Sequence, residues 1–281
     1  MGGLGIRTTD IHHLTNADEI SSIDGISPRV GRFVTISRRQ FHLVSEGVRL
    51  VVLLRHSNGS TGEEIRIAFQ HCAVMRFIGP DRPCYGFSNL MPEGSDDPGS
   101  LGYWIDKLVD VQGVRAIRVA AHSLAAGGAL CFAHRHTTRV LSLTLISPIC
   151  RSTLHRYMPV LRIAVCLLVG KVVRAVLACM RGHVLGKLAA PDGISASLSR
   201  LPIAHLAKPR AVLTVAAELR QCNEGIKRAN PQIGDKVPVV VIFGTEDETA
   251  VVEQNAPKLH ECVKRIGVRE LRGHGRMIHH E

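Results

Sequence analysis

The 281 residues are 45% hydrophobic and carry a formal net charge of +11, which supplies one large core and excludes wholesale disorder. Aromatic residues make up only 4%, too few for a platform that stacks single-stranded nucleic acid. Lys and Arg are scattered, with Arg38-Arg39 the nearest thing to a run, so the charge predicts a basic soluble protein and no nucleic-acid partner.

Residues 1–32 are polar and read as an irregular N-terminal segment, without the basic start and apolar run of a signal peptide. Residues 33–43 and 49–54 read as strands, the second a continuous apolar run of the kind buried on both faces. A helix over 62–72 and a strand over 74–78 follow, then a loop from Pro80 through Gly99. Apolar residues at helical spacing mark 101–111. A strand at 116–121, a helix at 124–136 and a strand at 140–147 come next. Between Pro148 and about Arg210 the rhythm breaks into helix-rich apolar sequence, and strands at 237–244 and 268–271 resume it. Alternating strands and helices predict an α/β chain with a doubly wound, mostly parallel sheet. The core then spans 33–148 and 211–281, with a helical cap inserted at 149–210.

The most apolar segment, 158–180, is interrupted by Arg162, Lys171 and Arg174, each costing roughly 2.5–3.5 kcal/mol at mid-bilayer. Amphipathic helices packed on the protein are expected there and no membrane span, with association at a membrane surface left open. None of the eight Cys form a C-x-x-C pair, and Cys131 and Cys166 sit in apolar runs, which predicts small core hydrophobes in a reduced, cytoplasmic protein. The pairs His12-His13 and His134-Arg-His136 lack a shared helix face and a carboxylate partner, so no metal site is expected. Gly59-Ser-Thr-Gly62 lacks the Lys-Ser/Thr of a phosphate loop.

The stretch RVAAHSLAAGGALCF, residues 118–132, runs from strand into helix without a linker. A residue at such a turn is strained and projects over the strand's end. Its neighbours two before and two after must be small, and here they are Ala121 and Ala125. The helix start aims free N–H groups at the same point, that of Leu124 among them. Ser123 is therefore a candidate nucleophile, and a plain small-residue turn is the alternative.

Five segments in order resemble the α/β-hydrolase fold superfamily over about residues 31–281. VVLLRHSNG (51–59) resembles its strand and oxyanion loop, and PDRPCYGFS (80–88) that family's P-D-x-P-G-x-G-x-S loop. AAHSLA (120–125) resembles the nucleophile elbow, VVVIFGTED (239–247) the strand and turn ending in the acid, and 273–280 the histidine loop. The resemblance implies Ser123 as nucleophile, Asp247 as the acid with Glu246 a weaker alternative, and a histidine that accepts the serine proton. It implies oxyanion donors at Leu124 and near His56 or Ser57, and no cofactor. A serine at the elbow makes the dehalogenases and epoxide hydrolases of this fold a poorer match.

The departures fall at the site. Aligning Gly275 and Met277 with the family loop puts Arg276 in the histidine slot, and a guanidinium cannot accept a proton from serine. His274 is then the substitute base if its two flanking glycines let the loop re-route, while His279 and His280 are expected at the surface or in packing. His56 stands where the family has Gly, Cys84 where its loop has Gly, and the final helix of the family is not found before Glu281. Two readings follow. One is a serine hydrolase acting through Ser123, Asp247 and His274 on small to medium hydrophobic esters or related acyl compounds. The other is a degenerate, non-catalytic protein of the same fold that binds a small ligand or partner.

Overall fold

The computed structural model describes residues 30–57, 60–69, 74–92, 95–151, 183, 186, 189–194 and 209–280. Eight strands form one sheet: β1 (Arg32–Ile36), β2 (Arg39–Glu46), β3 (Leu50–Arg55), β4 (Met75–Pro80), β5 (Ile117–His122), β6 (Val140–Ile146), β7 (Val239–Gly244) and β8 (Ile266–Leu271). Their order is β1-β2-β4-β3-β5-β6-β7-β8. β2 pairs antiparallel with β1 and β4, and the other neighbours run parallel. Helices α1 (Gly62–Phe69), α2 (Pro98–Val111), α3 (Ala125–Arg135), α4 (Pro209–Ala229) and α5 (Val252–Cys262) fill the connections. This is the doubly wound, mostly parallel α/β sheet that the alternating pattern predicts.

The differences from the expected elements have local causes. Residues 33–43 are two strands, not one, because Ser37 and Arg38 both take positive φ, 49° and 64°, and pair Ile36 with Arg39 across a two-residue turn. Such turns favour Asn and Gly, and neither is present to signal it. The loop after Pro80 ends at Asp97, whose carboxylate caps the Gly99 and Ser100 amides of α2, with Pro98 in the first helical position where its missing N–H costs nothing. The long helix α4 and the helix α5 were not among the expected elements; α5 buries only Asn255, Leu259 and Cys262 and contains Pro257, which blunts its helical signature. Most of the expected cap over 149–210, including 158–180, lies outside the described residues. No described helix is long and apolar enough to cross a membrane. Cys84, Cys131, Cys150, Cys222 and Cys262 are buried free thiols, as expected of small core hydrophobes.

Asp81, in the loop after β4, ties the sheet to α1. Its Oδ1 accepts the Gly62 N–H at 2.7 Å and its Oδ2 the Phe87 N–H at 2.9 Å. His42 of β2 donates Nδ1–H to Asp81 at 2.9 Å and Nε2–H to the Val30 carbonyl at 2.8 Å, the pattern of an imidazolium. Burial works against both charges, but the pairing outweighs it, lowering the Asp81 carboxyl and raising His42. A depressed carboxyl contributes stability above its unfolded value, about 3.9, that is lost as pH falls; a raised imidazole contributes below about 6.5 and loses it as pH rises. Asp81→Asn is therefore expected to lower unfolding stability by about 1.5–3 kcal/mol, with the gap from wild type widest between about pH 4 and 6.5 in urea titrations.

Candidate active site

β5 feeds straight into α3, and Ser123 makes the turn with φ +60°. That left-handed conformation is held from several directions. The Ser123 N–H donates to the Ile146 carbonyl at 2.9 Å, and its carbonyl accepts the Ala126 and Ile149 N–H groups, each at 3.1 Å. Ala121 and Ala125 are fully buried beside it, so small side chains do fill the positions that the bend crowds. Leu124 is the N-cap of α3 and makes no side-chain cap; amides at such a helix start have no intrahelical acceptor. Ser123, like Asp247, is buried.

Arg276 occupies the space between them. Its Nη2 donates to Ser123 Oγ, and its Nη1 lies 3.9 Å from Asp247 Oδ1. Ser147 Oγ donates to the Arg276 carbonyl at 3.4 Å, which fixes the loop from below. Burial pulls the guanidinium below its ordinary pKa, and the Asp247 and Glu64 carboxylates oppose that pull. Asp247 sits just after β7, where its Oδ1 accepts the Thr249 and Ala250 N–H groups at 2.8 and 2.9 Å. Its Oδ2 has no hydrogen-bond partner, and neither does Arg276 Nη1. Glu246 is exposed, so Asp247 is the carboxylate that faces this interior.

His274 is not brought to Ser123. Its Nδ1 lies 2.8 Å from Asp192 Oδ1, and the Gly275 N–H donates to Asp192 Oδ2, also at 2.8 Å. Of the two flanking glycines, Gly273 bends the chain at φ +78° in open space, while Gly275 is held in close packing. A Cβ on Gly244 would collide with the His274 carbonyl, and one on Gly275 with the Ala190 carbonyl. In this arrangement the His274 ring stays half-exposed and pairs with a carboxylate on another segment, not with Ser123.

On the opposite flank, His56 is turned into the scaffold. Its Nδ1–H donates to the Ser57 carbonyl at 2.7 Å, and its Nε2 accepts the Arg82 N–H at 2.8 Å. Burial and the nearby Arg82 charge push its pKa down to about 4, so the ring is neutral, in agreement with an accepting Nε2. The Arg82 guanidinium donates to Glu218 of α4, and the Tyr85 hydroxyl donates to the other Glu218 oxygen at 2.9 Å. Cys84 has φ +71°, the region that suits the glycine expected there.

Sequence reasoning missed a second cluster. The short 3-10 turn Ile278–His280 packs against α1, and the His279 and His280 Nε2 atoms lie 3.0 and 3.2 Å from Glu64 Oε1. The side chains of all three are 1% exposed, so neither histidine is at the surface. His122, the residue before Ser123, packs its ring 4.3 Å from that of His279. Burial lowers the pKa of His122 and of His279 despite the Glu64 charge. Burial also works to raise the Glu64 carboxyl, but the two histidine contacts overcome it and hold it low. A Glu in the helix after an oxyanion-type loop and two histidines near residue 280 share no spacing rule, and only the fold joins them.

No protein-family model and no curated protein matches the sequence. Solved structures do. Cfl2 from Burkholderia cenocepacia aligns with TM-score 0.73 at 17% identity, over 91% of this chain and 93% of that one. An alpha/beta hydrolase fold protein from Burkholderia ambifaria aligns with TM-score 0.71 at 17% identity, over 90% and 94%. The esterase EaEST from Exiguobacterium antarcticum aligns with TM-score 0.69 at 15% identity, over 88% and 92%. At such identities the likeness is one of architecture, and the chemistry has to be argued from the residues.

Proposed function

We propose that this chain, which has the α/β-hydrolase fold, binds a small molecule at Ser123 without hydrolysing it. The observation behind this reading is the guanidinium of Arg276 donating to Ser123 Oγ. Nucleophilic attack by serine needs a partner that takes its proton, and a guanidinium only donates. The same donors suit a ligand oxygen, a carbonyl or carboxylate, offered to Arg276 and to the N–H groups at the start of α3. The expected cap over 149–210 would set the size of the apolar remainder, and no cofactor enters.

A fluorophosphonate probe tests the reading directly. Folded wild-type protein is expected to stay unlabelled and to hydrolyse short p-nitrophenyl esters no faster than Ser123→Ala. Labelling that disappears in Ser123→Ala would overturn it. Thermal shift with short hydrophobic carboxylic acids supplies the positive arm, with stabilisation expected in wild type and lost in Arg276→Gln.

The strained φ of Ser123 favours a second reading, a serine hydrolase of small to medium hydrophobic esters. Acyl-enzyme formation at Ser123 would then draw on Asp247 and on His274 released from Asp192. Arg276 would have to leave the hydroxyl for that chemistry, and the same labelling experiment separates the two.

A further inference from the structure

From the convergence of Glu64, His279 and His280, we infer a binding site for one divalent transition-metal ion, of which zinc is the type. The site needs nothing from the reading given for Ser123. Its three ligand atoms all lie within 4.8 Å of one another, and the two nitrogens stand 3.0 and 3.2 Å from the same oxygen, Glu64 Oε1. Ligands bound at about 2.1 Å around a tetrahedral ion are roughly 3.4 Å apart, so small side-chain shifts would admit the ion.

Hydrogen bonding alone leaves this cluster poorly satisfied. Both histidine contacts fall on one carboxylate oxygen, while Glu64 Oε2 has no partner. Neither ring nitrogen of His122 has one, nor does His279 Nδ1, although these side chains are buried. Buried polar atoms in a folded protein are nearly always paired, and several orphans around one point mark a missing group. Two imidazoles and one carboxylate are the donor set of zinc and of related first-row ions, and a poor one for magnesium or calcium, which take oxygen ligands. Three protein ligands leave a fourth position for water, with the unpartnered His122 ring beside His279 as a hydrogen-bonding neighbour.

Local geometry explains how adjacent histidines can cooperate here. Residues i and i+1 ordinarily diverge on a helix. In the 3-10 turn the two rings instead lie 4.5 Å apart and reach the carboxylate together. Glu64 comes from the first turn of α1, so an ion would clip that helix to the segment following Met277.

The test uses the full chain, stripped with a chelator and titrated with Co2+ and then with competing Zn2+. One equivalent of Co2+ is expected to give the visible absorption of an imidazole-ligated ion, displaced by one equivalent of Zn2+. Glu64→Gln and His280→Ala are each expected to weaken Zn2+ binding by about 100-fold or more. A variant with His12 and His13 both replaced by Ala should bind as wild type does. Absence of stoichiometric binding by the folded wild-type chain would overturn the site, whether or not the variants fold. So would a loss that follows the His12/His13 variant while Glu64→Gln retains affinity.

Discussion

Arg276→His is expected to switch on ester hydrolysis at Ser123, by about 100-fold to 10,000-fold over wild type, the usual contribution of a positioned general base. The groups around Arg276 are placed where a histidine there could use them. Ser123 keeps the strained bend that projects its hydroxyl, and the N–H of Leu124 lies at the start of α3. Asp247 is anchored through Oδ1 by two backbone amides, and its Oδ2 has no partner. An imidazole between them would donate Nδ1–H to that free oxygen and accept the serine proton at Nε2, as a triad requires. Activity should rise with pH through the imidazole value, near 6.5 when unperturbed and higher beside a carboxylate, because only the neutral ring accepts a proton. Arg276→Gln separates the two effects of the substitution: it removes the guanidinium without adding a base, and should stay inactive. Fluorophosphonate labelling of Arg276→His should vanish when Ser123→Ala is added. A folded Arg276→His no faster than Arg276→Gln would sink the prediction and place the fault in the segment around His56 and Ser57.

The sheet was readable in the sequence because parallel strands buried on both faces leave continuous apolar runs, such as those in β3 and β7. The elbow was readable because the bend at Ser123 demands small neighbours, and Ala121 and Ala125 are small. A short glycine-marked loop was enough to single out Arg276, which the structure sets against Ser123. The destination of His274 could not, since Asp192 lies 82 positions away and no local pattern announces such a pairing. Gly273 and Gly275 suggested freedom, whereas Gly244 and Gly275 serve close packing; the sequence does not distinguish a glycine that bends from one that is crowded. The Glu64–His279–His280 cluster was hidden for the same reason, as its members are joined by the packing of α1 against a terminal turn. His122 was visible only as the variable residue of the elbow.

Glu218 was equally silent, and its loss is expected to be the most damaging single change to stability. It sits on α4, buried, taking a hydrogen bond from the Arg82 guanidinium on one oxygen and from the Tyr85 hydroxyl on the other. Burial pulls the Arg82 pKa down, and the Glu218 charge more than restores it. Arg55 adds to the demand for an anion. Its guanidinium is fully buried over the Trp104 ring with no hydrogen-bond partner, and burial together with Arg82 pushes its pKa down to about 9. Glu218→Gln keeps the shape but strands these cations, and removing one partner of a buried pair costs about 3–5 kcal/mol. Urea unfolding should show that loss as a lower midpoint with little change in slope. Replacing both charges, as in Glu218→Leu with Arg82→Met, should recover much of it, because a pair of apolar side chains carries no desolvation penalty. A loss below about 1 kcal/mol for Glu218→Gln, typical of exposed pairs, would show that the ion pair does not hold α4 to the loop. The effect also reaches the site, since the Arg82 N–H is what His56 accepts. In an Arg276→His background, Glu218→Gln should therefore lower esterase activity even at urea concentrations where both variants remain folded.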